Sequence, residues 1–377
     1  MDMKTFAVER WMNTYEIDAI YNLAETDAKP FTLDELLSLG NRDELIKELL
    51  NIKIGYNPTT GRQELKEVIA GFYRETLPEN ILVTTGAIEA DFLVTNALVK
   101  PGDTVIVQFP AYQALYSTAE ARGACVKYWH MDIDKGYEPD INELKKLIDK
   151  KTKLIVLNIP HNPTGAVISE SQLKTILSWA EEGNFWVLCD EVYHDFALYP
   201  NIIPPHGRSL SKRAISVGSM SKAYGLSGLR LGWIAGPEDV VNACWEWKDY
   251  TSISNSPIND YLATFALKNV DKVMERNLSL ARKNLEIFLK WLEEHKDYFD
   301  YVKPRAGVLL FPRLKNIAVT TEELCRSLYE EYKLLMVPGE CFDMPGFLRI
   351  GFGNDSDMFK KGLSIFSACL KEQSKTA

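Results

Sequence analysis

The run Leu154-Ile155-Val156-Leu157-Asn158-Ile159 leads into the turn Pro160-His161-Asn162-Pro163-Thr164-Gly165, then a stretch at helical spacing from Glu170 to Glu182, then Phe185-Trp186-Val187-Leu188-Cys189-Asp190. A short, largely apolar run with no alternation predicts a strand covered on both faces. Ser169 is placed to cap the intervening helix, since a serine hydroxyl can accept from a free first-turn amide. The same theme recurs from about Glu79 onward. It predicts strands at Ile81–Thr84, Thr104–Val107, Cys125–Trp129, Leu154–Ile159, Phe185–Cys189, Ala214–Val217 and Leu231–Ala235, with a further helix at Ile88–Leu98. Strands alternating with helices mean an α/β fold, here a mainly parallel seven-stranded sheet between helices.

Past Pro257 the pattern changes to one long helical stretch reaching about His295, rich in Leu, Lys and Glu. Strands are expected near Gly307–Leu314 and Leu348–Phe352, and helices near Thr321–Tyr332 and Asp357–Lys371, which together describe a smaller α+β domain. The expected organisation is a segment 1–45 packing with that small domain, a large domain over 46–260, and a linking helix with the small domain over 261–377. Pro30 and Phe31 break any regular pattern in the first segment.

The chain has 377 residues, 46% hydrophobic and 25% charged, with a formal net charge of −9. That is enough apolar residue to bury a sizeable core, and an acidic balance disfavours nucleic-acid or anionic membrane partners, which are held by clustered Lys and Arg. Cys125, Cys189, Cys244, Cys325, Cys341 and Cys369 form no C-x-x-C pair, so neither a metal site nor a disulfide framework is expected, and a reducing cytoplasm is. No apolar run approaches the roughly 20 residues of a membrane span, and Met1 to Glu16 lacks a signal core.

The segment Ser219-Met220-Ser221-Lys222-Ala223-Tyr224-Gly225-Leu226-Ser227-Gly228-Leu229-Arg230-Leu231-Gly232 concentrates chemistry: a lysine after a strand end, among small and hydroxyl residues, with an arginine eight positions on. Small residues permit close backbone approach to a ligand, and hydroxyls with a guanidinium suit a phosphate. Thr84-Thr85-Gly86-Ala87-Ile88 opens a helix, whose free amides make an anion site. Asp190-Glu191-Val192-Tyr193 ends a strand, at the sheet edge where ligands bind in open α/β folds. Taken alone, each has an ordinary reading: a solvated loop lysine, a good turn at Asn162-Pro163-Thr164-Gly165, a helix cap at Asp190.

Together and in this order the segments resemble the fold-type I aminotransferases that use pyridoxal 5′-phosphate (PLP), a likeness running from about Gly55 to Phe352. The resemblance implies a Schiff base between Lys222 and the cofactor. It further implies that Asp190 keeps the pyridine nitrogen protonated, that Asn162 and Tyr193 share the phenolic oxygen, and that Tyr112 stacks on the ring. Gly86, Ala87, Ile88, Ser219 and Arg230 then cradle the phosphate, and Arg349 binds the substrate α-carboxylate as a bidentate pair, with Asn162 also on the substrate side. Tyr56, in Gly55-Tyr56-Asn57-Pro58-Thr59-Thr60-Gly61, corresponds to a tyrosine that reaches the neighbouring subunit's phosphate, which implies a homodimer.

The implied reaction is ping-pong transfer of an amino group between an amino acid and a 2-oxo acid. Within PLP chemistry the alternatives are β-elimination, as in C–S lyases that share Pro160-His161-Asn162-Pro163, and a cyclising or hydroxylating enzyme acting on an arginine derivative. A non-enzymatic PLP-binding regulator would need an added DNA-binding segment, for which the acidic chain has no room. The chain departs from the family at Tyr21-Asn22-Leu23-Ala24-Glu25-Thr26-Asp27, where many relatives carry Asn-Leu followed by Gly-Glu-Pro. Glu25 and Asp27 there would favour a cationic substrate if they face it; the competing reading is that both are solvated and face away.

Overall fold

A computed structural model describes residues 3–373. All seven expected strands join one sheet: β1 (Ile81–Thr84), β2 (Thr104–Phe109), β3 (Cys125–His130), β4 (Thr152–Asn158), β5 (Trp186–Asp190), β6 (Ala214–Ser219) and β7 (Gly232–Ala235). Their spatial order is β1-β7-β6-β5-β4-β2-β3. β7 runs antiparallel to both its neighbours, and every other pairing is parallel. The strands are apolar on both faces because helices cover both. Leu82, Val105, Val107, Leu154 and Val156 pack on one side, and Ile81, Ile106, Ile155, Leu157 and Val187 on the other. Parallel register brings Asn158 of β4 level with Asp190 of β5 at the carboxyl edge. The helix between them, Glu170–Gly183, starts in a full capping box between Ser169 and Gln172.

The long helical stretch is two helices, Pro257–Lys268 and Val270–Glu294. Asn269 leaves helical geometry (φ −112°, ψ 27°) and ends the first helix before the second begins. Asparagine competes for backbone hydrogen bonds and so favours such junctions. The expected strand Gly307–Leu314 is likewise divided. Leu309–Leu310 pairs with Leu348–Gly351, whereas Arg313–Leu314 pairs with Phe299–Asp300. Pro312 lies between them and has no N–H for a continuous ladder.

The N-terminal segment spans both parts of the molecule. Tyr21–Asn22 pairs in parallel with Leu334–Leu335, and Trp11 Nε1 donates to the Met336 carbonyl. Further along, the Ala28 amide donates to the Lys222 carbonyl and the Phe31 amide to Gly225. Gly351 permits this threading: its amide donates to the Leu23 carbonyl at 2.7 Å. A Cβ there would lie 1.7 Å from the Glu25 carbonyl oxygen. Gly351→Ala must therefore push the 23–27 segment off its strand, and overpacking of this kind costs about 1–3 kcal/mol. Denaturant unfolding should register that loss, with Gly55→Ala, where nothing lies within 4 Å, as the neutral control.

Candidate active site

At the carboxyl edge of the sheet, beneath the N-terminal segment, lies a cavity of about 490 Å³. That is within the range of small-molecule and cofactor sites. Lys222 stands after β6, half-buried, and its Nζ makes no hydrogen bond to any described residue. Burial pulls its pKa down, but Tyr193, Asp27 and Glu9 outweigh this, and the net direction is up. The amine is held charged.

Asp190, the last residue of β5, is buried, and its Oδ1 accepts only from the Val192 amide, at 3.1 Å. It caps a turn rather than a helix. Burial is the main force raising its carboxyl to about 7, aided by Glu191 and opposed by Val192 and Lys222. The turn is held from behind: Glu191 accepts from Ser216 Oγ and the Gly207 amide and pairs with His206 Nδ1 at 2.7 Å. His206 in turn stacks on His194 at 3.5 Å.

Asn162 is buried with its Oδ1 unpartnered, and its amide N–H donates to Asn158 Oδ1. Asn158 Nδ2 also donates to the Asp190 carbonyl, tying the two turns together. Tyr193 donates its hydroxyl to Thr26 Oγ1 at 2.9 Å, which brings the departing N-terminal segment to the site. Tyr112 donates to Glu9 at 2.6 Å. Burial raises Tyr112, with Glu9 adding to it.

Gly86 precedes the helix Ala87–Leu98 with φ +78°, so the first-turn amides of Ala87 and Ile88, both residues lining the cavity, lack an intrahelical acceptor. Strand β7 presses against this turn, since a Cβ on Gly232 would lie 2.7 Å from the Ala87 nitrogen. Arg230 covers Gly86, with Nη1 donating to the Ser227 carbonyl at 3.0 Å and to Ser221 Oγ at 3.4 Å. Ser219 Oγ accepts from the Ser221 amide. Arg349, 4% exposed, donates Nη2 to the Ala24 carbonyl and leaves Nε without a partner. No carboxylate of the described residues pairs with it, so a buried guanidinium waits on an anion.

The chain matches the family described as aminotransferase class I and II over residues 41–365. It belongs to that family. A solved PLP-dependent aminotransferase from Streptococcus suis is 34% identical with a TM-score of 0.94, each chain covered to 99%. Capreomycidine synthase of Streptomyces vinaceus is 31% identical over 96% of this chain and 92% of that protein. The PLP-dependent cyclase OrfR is 26% identical, with a TM-score of 0.90 over 99% of this chain and 98% of that one. This aminotransferase-family chain is therefore a PLP-dependent enzyme on a fold-type I scaffold. Its cavity suits the cofactor, with unspent amides and a guanidinium at one end, an orphaned amide at Asn162, a buried carboxyl and an unbonded lysine.

Ala87, Ile88, Tyr112, Asn162, Asp190, Tyr193, Ser219, Lys222, Arg230 and Arg349 all line that cavity, and Gly86 adjoins it through Arg230. Tyr56 does not: it is 89% exposed on this chain's surface. Glu25 and Asp27 do line the cavity, which overturns the reading that they face away. Glu9, Glu16 and Asn158 join them without having been picked out by sequence; the first two sit on or next to the helix Ala7–Tyr15, whose place over the cavity no motif marks.

The raised Asp190 carboxyl has a consequence for the cofactor-free protein. Its folded pKa of about 7 exceeds the ordinary 3.8, so folding favours the neutral form, and stability falls as pH rises through that interval. Asp190→Asn removes the titration. Stripped of cofactor, the variant should be more stable than the wild type at pH 8, by on the order of 4 kcal/mol, and should lose that advantage near pH 4. Thermal melts across pH test it; an advantage that does not depend on pH rules it out.

Proposed function

We propose that this enzyme transfers the amino group of an amino acid with a cationic side chain to a 2-oxo acid, in two half-reactions. The observation that supports the substrate class is the charge pattern of the cavity. Its cations are Lys222, Arg230 and Arg349, each with a task, and the remaining charged side chains of the wall are Glu9, Glu16, Glu25 and Asp27 beside the cofactor-facing Asp91 and Asp190. A second substrate carboxylate would meet no free cation, and an ammonium or guanidinium tail would meet four carboxylates.

Bound PLP supplies an electron-withdrawing ring that stabilises negative charge at the substrate Cα. Lys222 would hold the cofactor, and its free amine would move the proton at that Cα as base and then acid. Asp190 accepts the hydrogen bond of the protonated ring nitrogen, and Asn162 and Tyr193 bond the phenolic oxygen. The Ala87 and Ile88 amides, Ser219 and Arg230 hold the phosphate, Tyr112 covers the ring face, and Arg349 grips the α-carboxylate in a two-point pair.

A second reading is ring closure on an arginine derivative, favoured by the likeness to capreomycidine synthase and to the cyclase OrfR. Both readings use the acidic wall. We assign residues 46–260 to the large cofactor-binding domain and 261–377 to the small domain with its linking helices; 1–45, expected on the small domain, bonds to both. We place the enzyme in the cytoplasm, in keeping with its six unpaired cysteines.

Incubation with a panel of amino acids separates the reactions. Arginine, ornithine or a related basic amino acid should yield keto acid with stoichiometric aminated cofactor, and aspartate should react poorly. Glu25→Gln should narrow that gap by about tenfold, through the basic substrate alone. Ammonia with pyruvate would mean elimination, and a cyclic product would mean ring closure. Borohydride reduction should fix the cofactor's mass on the peptide containing Lys222; a label on any other lysine refutes the assignment.

The assembly we propose is a homodimer in which Tyr56 completes the partner's phosphate site. Leu50, Ile54 and Tyr56 are all more than four-fifths exposed, at 81%, 85% and 89%, an arrangement suited to coverage by a second copy. Mixing Lys222→Ala with an inactive Tyr56 variant should restore part of the activity in heterodimers. Full activity in a monomer, by light scattering at assay concentration, would contradict it.

A further inference from the structure

One buried acid in the cavity wall has no task in the reaction above. Asp91 lies one turn into the helix Ala87–Leu98, four residues past Ala87, in a stretch otherwise dominated by Ala, Phe, Leu and Val. It is 4% exposed, its Oδ1 has no hydrogen-bond partner, and it lines the same cavity as Asp190 and Asn158. A carboxyl without a partner in such a place costs stability, and a leucine would pack there more cheaply. No Lys or Arg of the described residues forms an ion pair with it.

Its protonation follows from its neighbour. Two carboxyls sharing a water-poor site do not both ionise. Asp190 must be the ionised one when it faces a protonated ring nitrogen, so the proton resides on Asp91. Burial, with the Asp190 charge, pushes the Asp91 carboxyl well above the usual carboxylate range, in the same direction. A carboxylic acid held neutral by an apolar site is a hydrogen-bond donor, which a carboxylate is not.

Building on the PLP reading of the site, we propose that Asp91 is a positioning residue for the cofactor ring, a neutral carboxylic acid that donates a hydrogen bond into the cavity beside Asp190. It acts on how firmly the ring is seated, not on the proton at the substrate Cα. The role belongs to the O–H as donor, so an amide can replace it and an alkyl group cannot.

Titration of PLP into stripped enzyme, followed by the visible absorbance of the bound cofactor, measures this without turnover. Asp91→Leu should weaken cofactor binding by about tenfold, the cost of one lost hydrogen bond, whereas Asp91→Asn should stay within about threefold of wild type. Melting of the same proteins without cofactor separates positioning from structure. Asp91→Leu should melt at or above the wild-type temperature, because an unpartnered polar group has been removed. Three results would overturn the proposal: equal losses in the Asn and Leu variants, wild-type affinity in Asp91→Leu, or a fall in its cofactor-free melting temperature. If instead the wild-type protein carries no PLP on Lys222, the proposed function fails first. Lys222 labelling with unchanged affinity in Asp91→Leu removes Asp91 alone.

Discussion

Everything at this site depends on burying the Asp190 carboxyl at the end of a parallel strand with a single backbone donor. Water would hold that charge better than the protein does, which is why burial pushes the carboxyl up to about 7. The structure accepts the cost by fixing the turn that carries it. Glu191 is tied to Ser216, Gly207 and His206, and Asn158 holds the Asp190 carbonyl from the adjacent strand. A carboxyl so fixed cannot relax toward solvent, and on the proposed function a positively charged ring nitrogen would offset its desolvation.

The second constraint is geometric. Cofactor chemistry belongs to the large sheet's edge, while the buried Arg349 belongs to a strand of the small sheet. The segment from Leu23 to Phe31 holds the two together, bonded to Gly351 and Gly353 on one side and to Lys222 and Gly225 on the other. Glu25, Thr26 and Asp27 are thereby fixed relative to Lys222 and Arg349 at once.

The sheet could be read from sequence because each strand is an unbroken apolar run between turns, and its register carried Asn158 and Asp190 to the same edge. Lys222, Asn162 and Asp190 are singled out because their segments, in this order, resemble the aminotransferase family; each turn taken alone reads as ordinary. Asn269 interrupts a strongly helical pattern at a single position, and Pro312 divides two strands whose partners lie far apart in the chain. Glu9, Glu16 and Asp91 reach the cavity only through tertiary packing, and acidic residues on helices read locally as a solvated face. Tyr56 is exposed and does not line its own chain's cavity, so a task at a cofactor site would need a second copy.

On the proposed function, the acidic wall and Arg349 act on different ends of one substrate, both lining the one cavity. A buried guanidinium with an unpartnered Nε attracts the α-carboxylate at close range. Glu25, raised to about 8 mainly by burial and then by Asp27 and Glu16, against a lowering by Lys222, holds its proton near neutrality before a substrate cation enters. A cationic tail entering beside it lowers the cost of ionisation, so the group becomes charged when that tail is present. A neutral side chain gains nothing from this exchange, and an anionic one faces Asp27, Glu16 and Glu9 without a counter-charge. On the proposed function, discrimination comes from a wall whose charge develops in response to the substrate, while Arg349 and the groups around Lys222 bind what every amino acid has in common.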